Sequence, residues 1–262
     1  SSNMDRGCSA FWGIIAIMIK VPEVLRLRKF RVQELVWETP EIFTLRLVPC
    51  EGEPALAFKA GQWVYLHLLN EDGTSWKAAF SIATAPSDRG SLELGIKVER
   101  DFTKRASKLV LDTVVALQGP FGVFTLPSAL DDTPLVFMAG GIGITPLRSM
   151  IRQAVNQQLS TPIYLVYSNR YAEESAYLEE FEDLRHSYPA MKLIATFTGE
   201  HPPGWKGHTG RIDAAMLAPL LAETAATAHF FLCGPNPFMQ AMREILEAAG
   251  VDRARVYQER FD

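Results

Sequence analysis

What this chain has little of bounds it first. Its 262 residues include three cysteines, Cys8, Cys50 and Cys233. They are odd in number and far apart, so no disulfide framework is implied. A plant-type iron–sulfur cluster needs four closely spaced thiolates, and this chain alone cannot build one. The five histidines (His67, His186, His201, His208 and His229) show no ligand spacing, so no metal site is expected. Charge is nearly balanced at −4, which gives no broad electrostatic reason to bind nucleic acid. The apolar run Phe11–Ile19 is shorter than the ~20 residues a bilayer span takes. Lys20, Arg26, Arg28, Lys29 and Arg31 follow it, on the wrong side for a signal peptide, and no small-residue cleavage site follows. There is no internal repeat and no low-complexity tract.

Residues 1–28 therefore stand apart as an N-terminal extension. Two placements stay open: packing on the chain's own domain, or a peripheral membrane or subunit contact through residues 11–31. The expected location is cytoplasmic, with membrane association resting on that segment alone.

The remainder reads as two domains. Hydrophobic residues make up 48% and charged residues 21%, as in soluble globular proteins. From Lys29 to about Thr125, apolar residues alternate with polar ones: Phe43, Leu45, Leu47; Val64, Leu66, Leu68; Leu92, Leu94, Ile96, Val98. Period two argues for half-buried antiparallel strands, and several short strands in such a length suggest a small barrel or sandwich. One short helix is expected near Thr103–Val110. After Pro127 strands are predicted at 134–139, 162–168, 191–197, 229–232 and 254–258, and helices at 146–159, 174–186, 213–221 and 236–249. That alternation predicts an α/β domain with a parallel sheet. The division is 29–128 and 129–262, with the boundary near Ser128–Thr133.

The stretch Pro134–Pro146 joins an apolar run, a glycine turn and a helical pattern with Leu147, Met150, Ile151, Ala154 and Val155 on one face. Glycines let backbone N–H groups approach an anion, and a helix N-terminus adds partial positive charge. Thr145 is placed to cap the helix, with Pro146 first inside it. On its own this is a phosphate site or a tightly packed turn.

Four other segments, in order, make the pattern specific. Phe80-Ser81-Ile82-Ala83-Thr84 resembles the flavin-binding R-x-Y/F-S-x-x-S/T signature of the ferredoxin–NADP reductase superfamily. Gly119-Pro120-Phe121-Gly122-Val123-Phe124 resembles the segment that closes its flavin domain. Gly140–Pro146 resembles its pyridine-nucleotide loop. Cys233-Gly234-Pro235 with Met239 resembles its C-G-P turn, and Glu259-Arg260-Phe261 resembles the ending of many bacterial members. The resemblance covers residues 29–262. It implies an antiparallel Greek-key FAD-binding barrel, a parallel-sheet NAD(P)-binding domain and no iron–sulfur domain.

The resemblance also implies roles. Phe80 and Ser81 would lie along the isoalloxazine ring, with the Ser81 hydroxyl at the atom that receives hydride. Ile82, Ala83 and Thr84 would line the ring and its ribityl chain, and Phe261 would cover part of it. Gly140, Gly141, Gly143, Ile144, Thr145 and Pro146 would hold the nucleotide, with Gly234, Pro235 and Met239 in the facing turn. Cys233 would sit near the nicotinamide, or serve as a small buried apolar residue. Glu259 would stabilise charge or relay a proton. The chain departs from the family where an arginine for the FAD pyrophosphate is expected, at Ala78. Lys77 is adjacent but points to the opposite face. The second phosphate segment lacks glycine, leaving Lys97, Thr103 as a helix cap, Lys104, Arg105 and Ser107 as its polar groups. Ser168 and Arg170 stand where nucleotide choice is made, and no acid stands at that strand tip. Arginine suits a 2′-phosphate, so NADPH is the favoured donor and NADH the alternative.

The implied activity is hydride transfer from NAD(P)H to FAD, then single electrons to a separate ferredoxin or other redox protein. Two alternatives remain: a reductase of small acceptors such as ferric chelates, quinones or free flavin, and a non-catalytic flavoprotein subunit of a larger complex.

Overall fold

The computed structural model describes residues 22–70, 72–127, 132–157 and 161–260. The apolar run at 11–19, Phe261 and most of the expected boundary at 128–133 lie outside the described residues.

The first sheet contains β1 (Arg28–Trp37), β2 (Ile42–Pro49), β3 (Trp63–Leu69), β4 (Ser75–Ser81), β5 (Leu92–Lys97) and β6 (Val114–Phe121). The order is β4-β3-β6-β1-β2-β5, antiparallel throughout. The outer strands meet at a bridge between Ile82 and Leu94. That bridge rolls the sheet into a Greek-key barrel and covers edges that would otherwise be free. The alternating residues of β2, β3 and β5 fill its interior, with Phe43, Leu45, Leu47, Val64, Leu66 and Leu94 fully buried. A short helix, α1 (Asp101–Ala106), follows β5. It starts two residues earlier than the pattern predicts. Thr103 does not cap it from outside. From the third position its hydroxyl accepts the N–H groups of Glu99 and Arg100.

The second sheet is parallel, in the order β10-β9-β8-β7-β11-β12. Its strands are β7 (Leu135–Gly140), β8 (Ile163–Asn169), β9 (Met191–Phe197), β10 (His208–Thr209), β11 (His229–Cys233) and β12 (Val256–Glu259). Helices α2 (Ile144–Asn156) and α3 (Leu178–Ser187) cover one face; α4 (Ala214–Thr224) and α5 (Asn236–Ala248) cover the other. In β7, Leu135, Phe137 and Ala139 face the first pair of helices, and Val136 and Met138 the second. Burial on both faces is why this strand reads as an unbroken apolar run.

Two elements differ from expectation. β10 is only two residues long, too short for a periodic signal, and is held by pairing with Thr196 and Phe197. The helix expected from 174 begins at Leu178. Ala172–Glu174 forms a 3-10 turn instead, and Tyr177 adopts a left-handed backbone (φ 61°). No helix among the described residues is long and apolar enough to cross a membrane.

Candidate active site between the two domains

The parallel sheet reverses its winding between β7 and β11. From β7 the chain works outward through β8, β9 and β10, then crosses back to β11 and β12. The helices that follow β7 and β11 leave to opposite faces, which opens a crevice at the C-terminal strand ends where ligands bind in such folds. Gly140 ends β7 and Cys233 ends β11. Their turns pack backbone to backbone. A Cβ on Gly143 would lie 2.3 Å from the Cys233 carbonyl oxygen, and one on Gly234 would lie 3.0 Å from the Gly140 Cα. Side chains are excluded there by contact. Gly141 differs: it holds a positive φ (54°) and faces open space, leaving backbone exposed for a ligand to approach.

The expected helix cap does not form. α2 begins at Ile144, after a 3-10 turn over Gly141–Gly143. The Thr145 hydroxyl donates back to the Ile142 carbonyl (3.1 Å) instead of accepting an N–H, and Pro146 is the third helical residue. Proline is tolerated there because the first four N–H groups of a helix have no partner within it.

On the barrel side, Ser81 ends β4 opposite Trp63. Its side chain is buried, and its hydroxyl has no hydrogen-bond partner among the described residues. Buried hydroxyls are normally paired, so this orphan is what a polar ligand at the position would satisfy. Phe80 packs on the barrel core and lies 5.8 Å from the Phe102 ring. Ile82 and Ala83 are fully buried; their N–H groups are donated to the Gln62 and Glu93 carbonyls. Thr84 accepts the Glu93 N–H through its hydroxyl. This part of the motif is knitted into the barrel.

Glu259 links the two sides. It ends β12 opposite Cys233, and its Oε1 is 3.6 Å from where a Cβ on Gly122 would stand. Gly122 is itself tied to the start of β3, since its carbonyl accepts from Gln62 (3.1 Å) and its backbone abuts the Trp63 indole. The Glu259 Oε2 is buried without a partner among the described residues. Burial pushes this carboxyl up to about 7, so it is poised between protonated and ionised at neutral pH. Cys233 is fully buried, and burial, reinforced by the Glu259 charge, raises its thiol well above the ordinary value. It is a neutral thiol, not a thiolate nucleophile.

Other expected site residues are placed less directly. Ser168 sits level with Gly140 in the sheet register. Arg170 is exposed just beyond β8, its guanidinium 5.1 Å from the Tyr171 ring centre. Met239 is core, packed under the sheet, and donates its N–H to the Pro235 carbonyl. Lys97 pairs with Glu99 (2.9 Å) and Lys104 with Asp101 (3.6 Å); the Ser107 hydroxyl donates to the Lys104 carbonyl. Position 78 itself brings no cation: Ala78 pairs with Leu66 on the core side, and the neighbouring Lys77 lies over the Tyr65 ring on the outer face, 4.4 Å away. The ring end of the site fits a flavin, with Ser81 and Glu259 supplying polar atoms unpaired among the described residues; the phosphate end has no arginine at 78, and Arg105 donates to Asn70 Oδ1 (2.8 Å) and the Leu69 carbonyl (3.3 Å).

Sequence reasoning missed the residues that join the domains. Arg148, on α2, is buried (6% exposed). It donates to Glu93 Oε2 (2.7 Å), the Ala83 carbonyl (3.2 Å) and Glu180 Oε2 (2.7 Å), and stacks 4.4 Å over Tyr177. Burial pushes the Glu93 carboxyl up, but the Arg148 and Arg46 guanidiniums outweigh it and hold it below its usual value. Ser149 donates to the Thr84 carbonyl (2.5 Å), and Tyr177 and Thr44 share a hydroxyl hydrogen bond (2.7 Å). The only sequence signal was arginine at 148 and 152, one turn apart beside an apolar helix face.

Comparison with known proteins agrees with this geometry. Residues 29–126 match the family model for the oxidoreductase FAD-binding domain, and residues 137–244 that for the oxidoreductase NAD-binding domain. A flavohemoprotein of Burkholderia sp. (strain TH2) is 32% identical over 89% of this chain and 59% of its own length. Ferredoxin–NADP reductase B of Sorangium cellulosum (strain So ce56) is 31% identical over 86% of this chain and 93% of its own. The chain thus spans about three-fifths of the flavohemoprotein and nearly all of the reductase. Flavohemoglobin of Malassezia yamatoensis, solved with bound FAD and heme, superposes with a TM-score of 0.78 at 25% identity, over 90% of this chain and 60% of that one. With both domain models matched in order and a full-length reductase relative, the chain belongs to the ferredoxin–NADP reductase superfamily, as a flavoenzyme with an FAD-binding barrel and an NAD(P)-binding domain.

Proposed function

We propose that this chain takes hydride from NADPH in preference to NADH and passes electrons singly to a separate redox protein, a ferredoxin or an oxygenase component. When bound, NAD(P)H supplies the hydride pair and FAD splits it into single electrons. The chain's own residues orient and shield that exchange. The orphan hydroxyl of Ser81 offers its hydrogen bond to the flavin ring. The Gly140–Thr145 turn holds the nucleotide, and Glu259 carries a proton on its buried carboxyl close to the ring. Phosphates of FAD rest on groups such as Lys97, Lys104 and Ser107, or on backbone, since no arginine stands at 78.

The observation that carries this reading is direct contact between the Phe80–Thr84 motif and the helix that grows out of the glycine turn: Arg148 donates to the Ala83 carbonyl (3.2 Å) and Ser149 to that of Thr84 (2.5 Å). Arg170, exposed with no carboxylate at the strand tip, supports a 2′-phosphate and hence NADPH. The arginine missing at 78 favours one other reading, a flavoprotein subunit that relays electrons without oxidising a nucleotide itself.

Anaerobic mixing of the flavin-loaded protein with NADPH and, separately, NADH tests both. Rapid bleaching of the flavin absorption, faster at low NADPH than at low NADH, is the expected result. No bleaching with either nucleotide would leave the relay reading. Ferredoxin against ferric citrate as oxidant then distinguishes a protein acceptor from a small one.

A further inference from the structure

The contacts of Arg148 and Ser149 reach beyond holding two domains together. α2 grows directly out of the nucleotide turn, and Arg148 is its fifth residue. Its partner on the barrel, the Ala83 carbonyl, belongs to the flavin motif two residues past Ser81. Ser149 seizes the next carbonyl, that of Thr84. The residues that carry these carbonyls are tied to β5: the Ala83 N–H donates to the Glu93 carbonyl, and the Thr84 hydroxyl accepts the Glu93 N–H. The Glu93 side chain then returns to Arg148.

Charges alternate outward from this point. Glu34 pairs with Arg46, Arg46 with Glu93, Glu93 with Arg148, Arg148 with Glu180, Glu180 with Arg152, and Arg152 with Asp88. The barrel contributes Glu34, Arg46, Glu93 and Asp88; the nucleotide domain contributes Arg148, Arg152 and Glu180. Every successive bond from Glu93 to Asp88 crosses the domain boundary or joins two helices of the nucleotide domain. A planar guanidinium with three fixed acceptors sets direction as well as distance, which a point charge on a flexible stem does not. The left-handed Tyr177 supports it from below, its ring under the guanidinium and its hydroxyl on Thr44. A non-glycine residue in that conformation persists where its surroundings over-determine it.

We infer that Arg148 is a positioning residue for hydride transfer: with Ser149, it fixes the nucleotide turn at a set distance and angle from the flavin strand. The inference rests on the oxidoreductase reading above. It separates binding from chemistry. The flavin and nucleotide each keep their own contacts when Arg148 changes, but their mutual approach loosens. A misplacement of about 1 Å at a reacting centre can cost ~100-fold in rate.

The test compares wild type, Arg148→Lys and Ser149→Ala as flavin-loaded proteins. Three quantities are read: the melting temperature of the flavin-free forms, the hydride-transfer rate at saturating NADPH, and the long-wavelength charge-transfer absorbance of the flavin–nucleotide pair at equilibrium. Arg148→Lys keeps the charge, so folding and flavin content should be close to wild type. Its saturating rate should fall at least ~10-fold, with the charge-transfer band weakened and the NADPH concentration for half-saturation changed less than about threefold. Ser149→Ala should show the same pattern, more mildly. If wild type bleaches and Arg148→Lys matches it in rate and band, the positioning role is wrong. A rate loss that tracks lost flavin or a collapsed melting temperature, with the band per bound flavin unchanged in both variants, also overturns it. If wild type itself does not bleach, the oxidoreductase reading fails, and this inference with it.

Discussion

The Thr145 methyl of the nucleotide turn stands 2.5 Å from where a side chain on Gly95 would begin, and the Tyr177 hydroxyl is equally close on the same side. Gly95 has an ordinary strand conformation, so its lack of a side chain serves the approach of the second domain. Gly95→Ala should therefore push the domains apart and destabilise the protein by about 1–3 kcal/mol, as overpacking does. Urea unfolding measures this. A midpoint equal to wild type would mean that the interface yields without cost.

Ser81 separates a ligand role from a folding role. Its hydroxyl is buried and unpaired among the described residues. Removing an unsatisfied buried group relieves a desolvation cost of about 1–3 kcal/mol. Ser81→Ala should leave the flavin-free protein as stable as wild type or more so. Flavin reduction by nucleotide should nonetheless slow by roughly 10-fold or more, as when one preorganised donor is lost. Calorimetry and stopped-flow absorbance read the two effects separately. A destabilised apoprotein with unchanged reduction would assign Ser81 to the fold alone.

Glu259 gives the protein a pH-dependent stability. Burial raises its carboxyl from 4.5 to about 7. Between those values the native state holds a proton that the unfolded chain has released. Unfolding then releases protons, and stability falls as pH rises through this window. Glu259→Gln removes the dependence. The melting temperature of the variant relative to wild type should be flat below pH 4.5, climb through pH 7 and level off above it. A difference independent of pH would show that the carboxyl titrates normally.

Arg170 decides nucleotide choice if the exposed guanidinium meets a 2′-phosphate. Losing a charge-assisted contact should cost Arg170→Ala ~1.5–3 kcal/mol with NADPH, or roughly ten- to a hundredfold in apparent affinity. NADH turnover should scarcely move. Titration of flavin reduction with each nucleotide checks this, and equal losses with both would remove the phosphate role.

Much of the architecture was legible in local pattern. Alternation at Phe43, Leu45 and Leu47 marks a strand because side chains two apart share a face, and these residues do fill the barrel. The unbroken run in β7 and the glycines after it point to a buried parallel strand and a tight turn, for reasons each residue carries locally. The helix cap at Thr145 was misread because the 3-10 turn before α2 takes over the start of the helix. That turn depends on Gly143 resting against Cys233, more than eighty positions away.

By itself the sequence determined two domains in order, their strand and helix periods, and a glycine turn after the buried strand at 134–139. These follow from backbone sterics and from burial of one face per element. Only the tertiary structure decided the outer face of the barrel. Alternation assigns Thr44 and Glu93 to solvent, yet both are buried (3% and 8% exposed) because the nucleotide domain covers them. Arg148, Arg152 and Tyr177 acquire their barrel partners, Glu93, Asp88 and Thr44, from the same event. A polar residue in one sequence carries no record of which distant polar residue will neutralise it. That pairing exists only once two separately folded surfaces meet, and it is there that Ala83 and Thr84 meet Arg148 and Ser149.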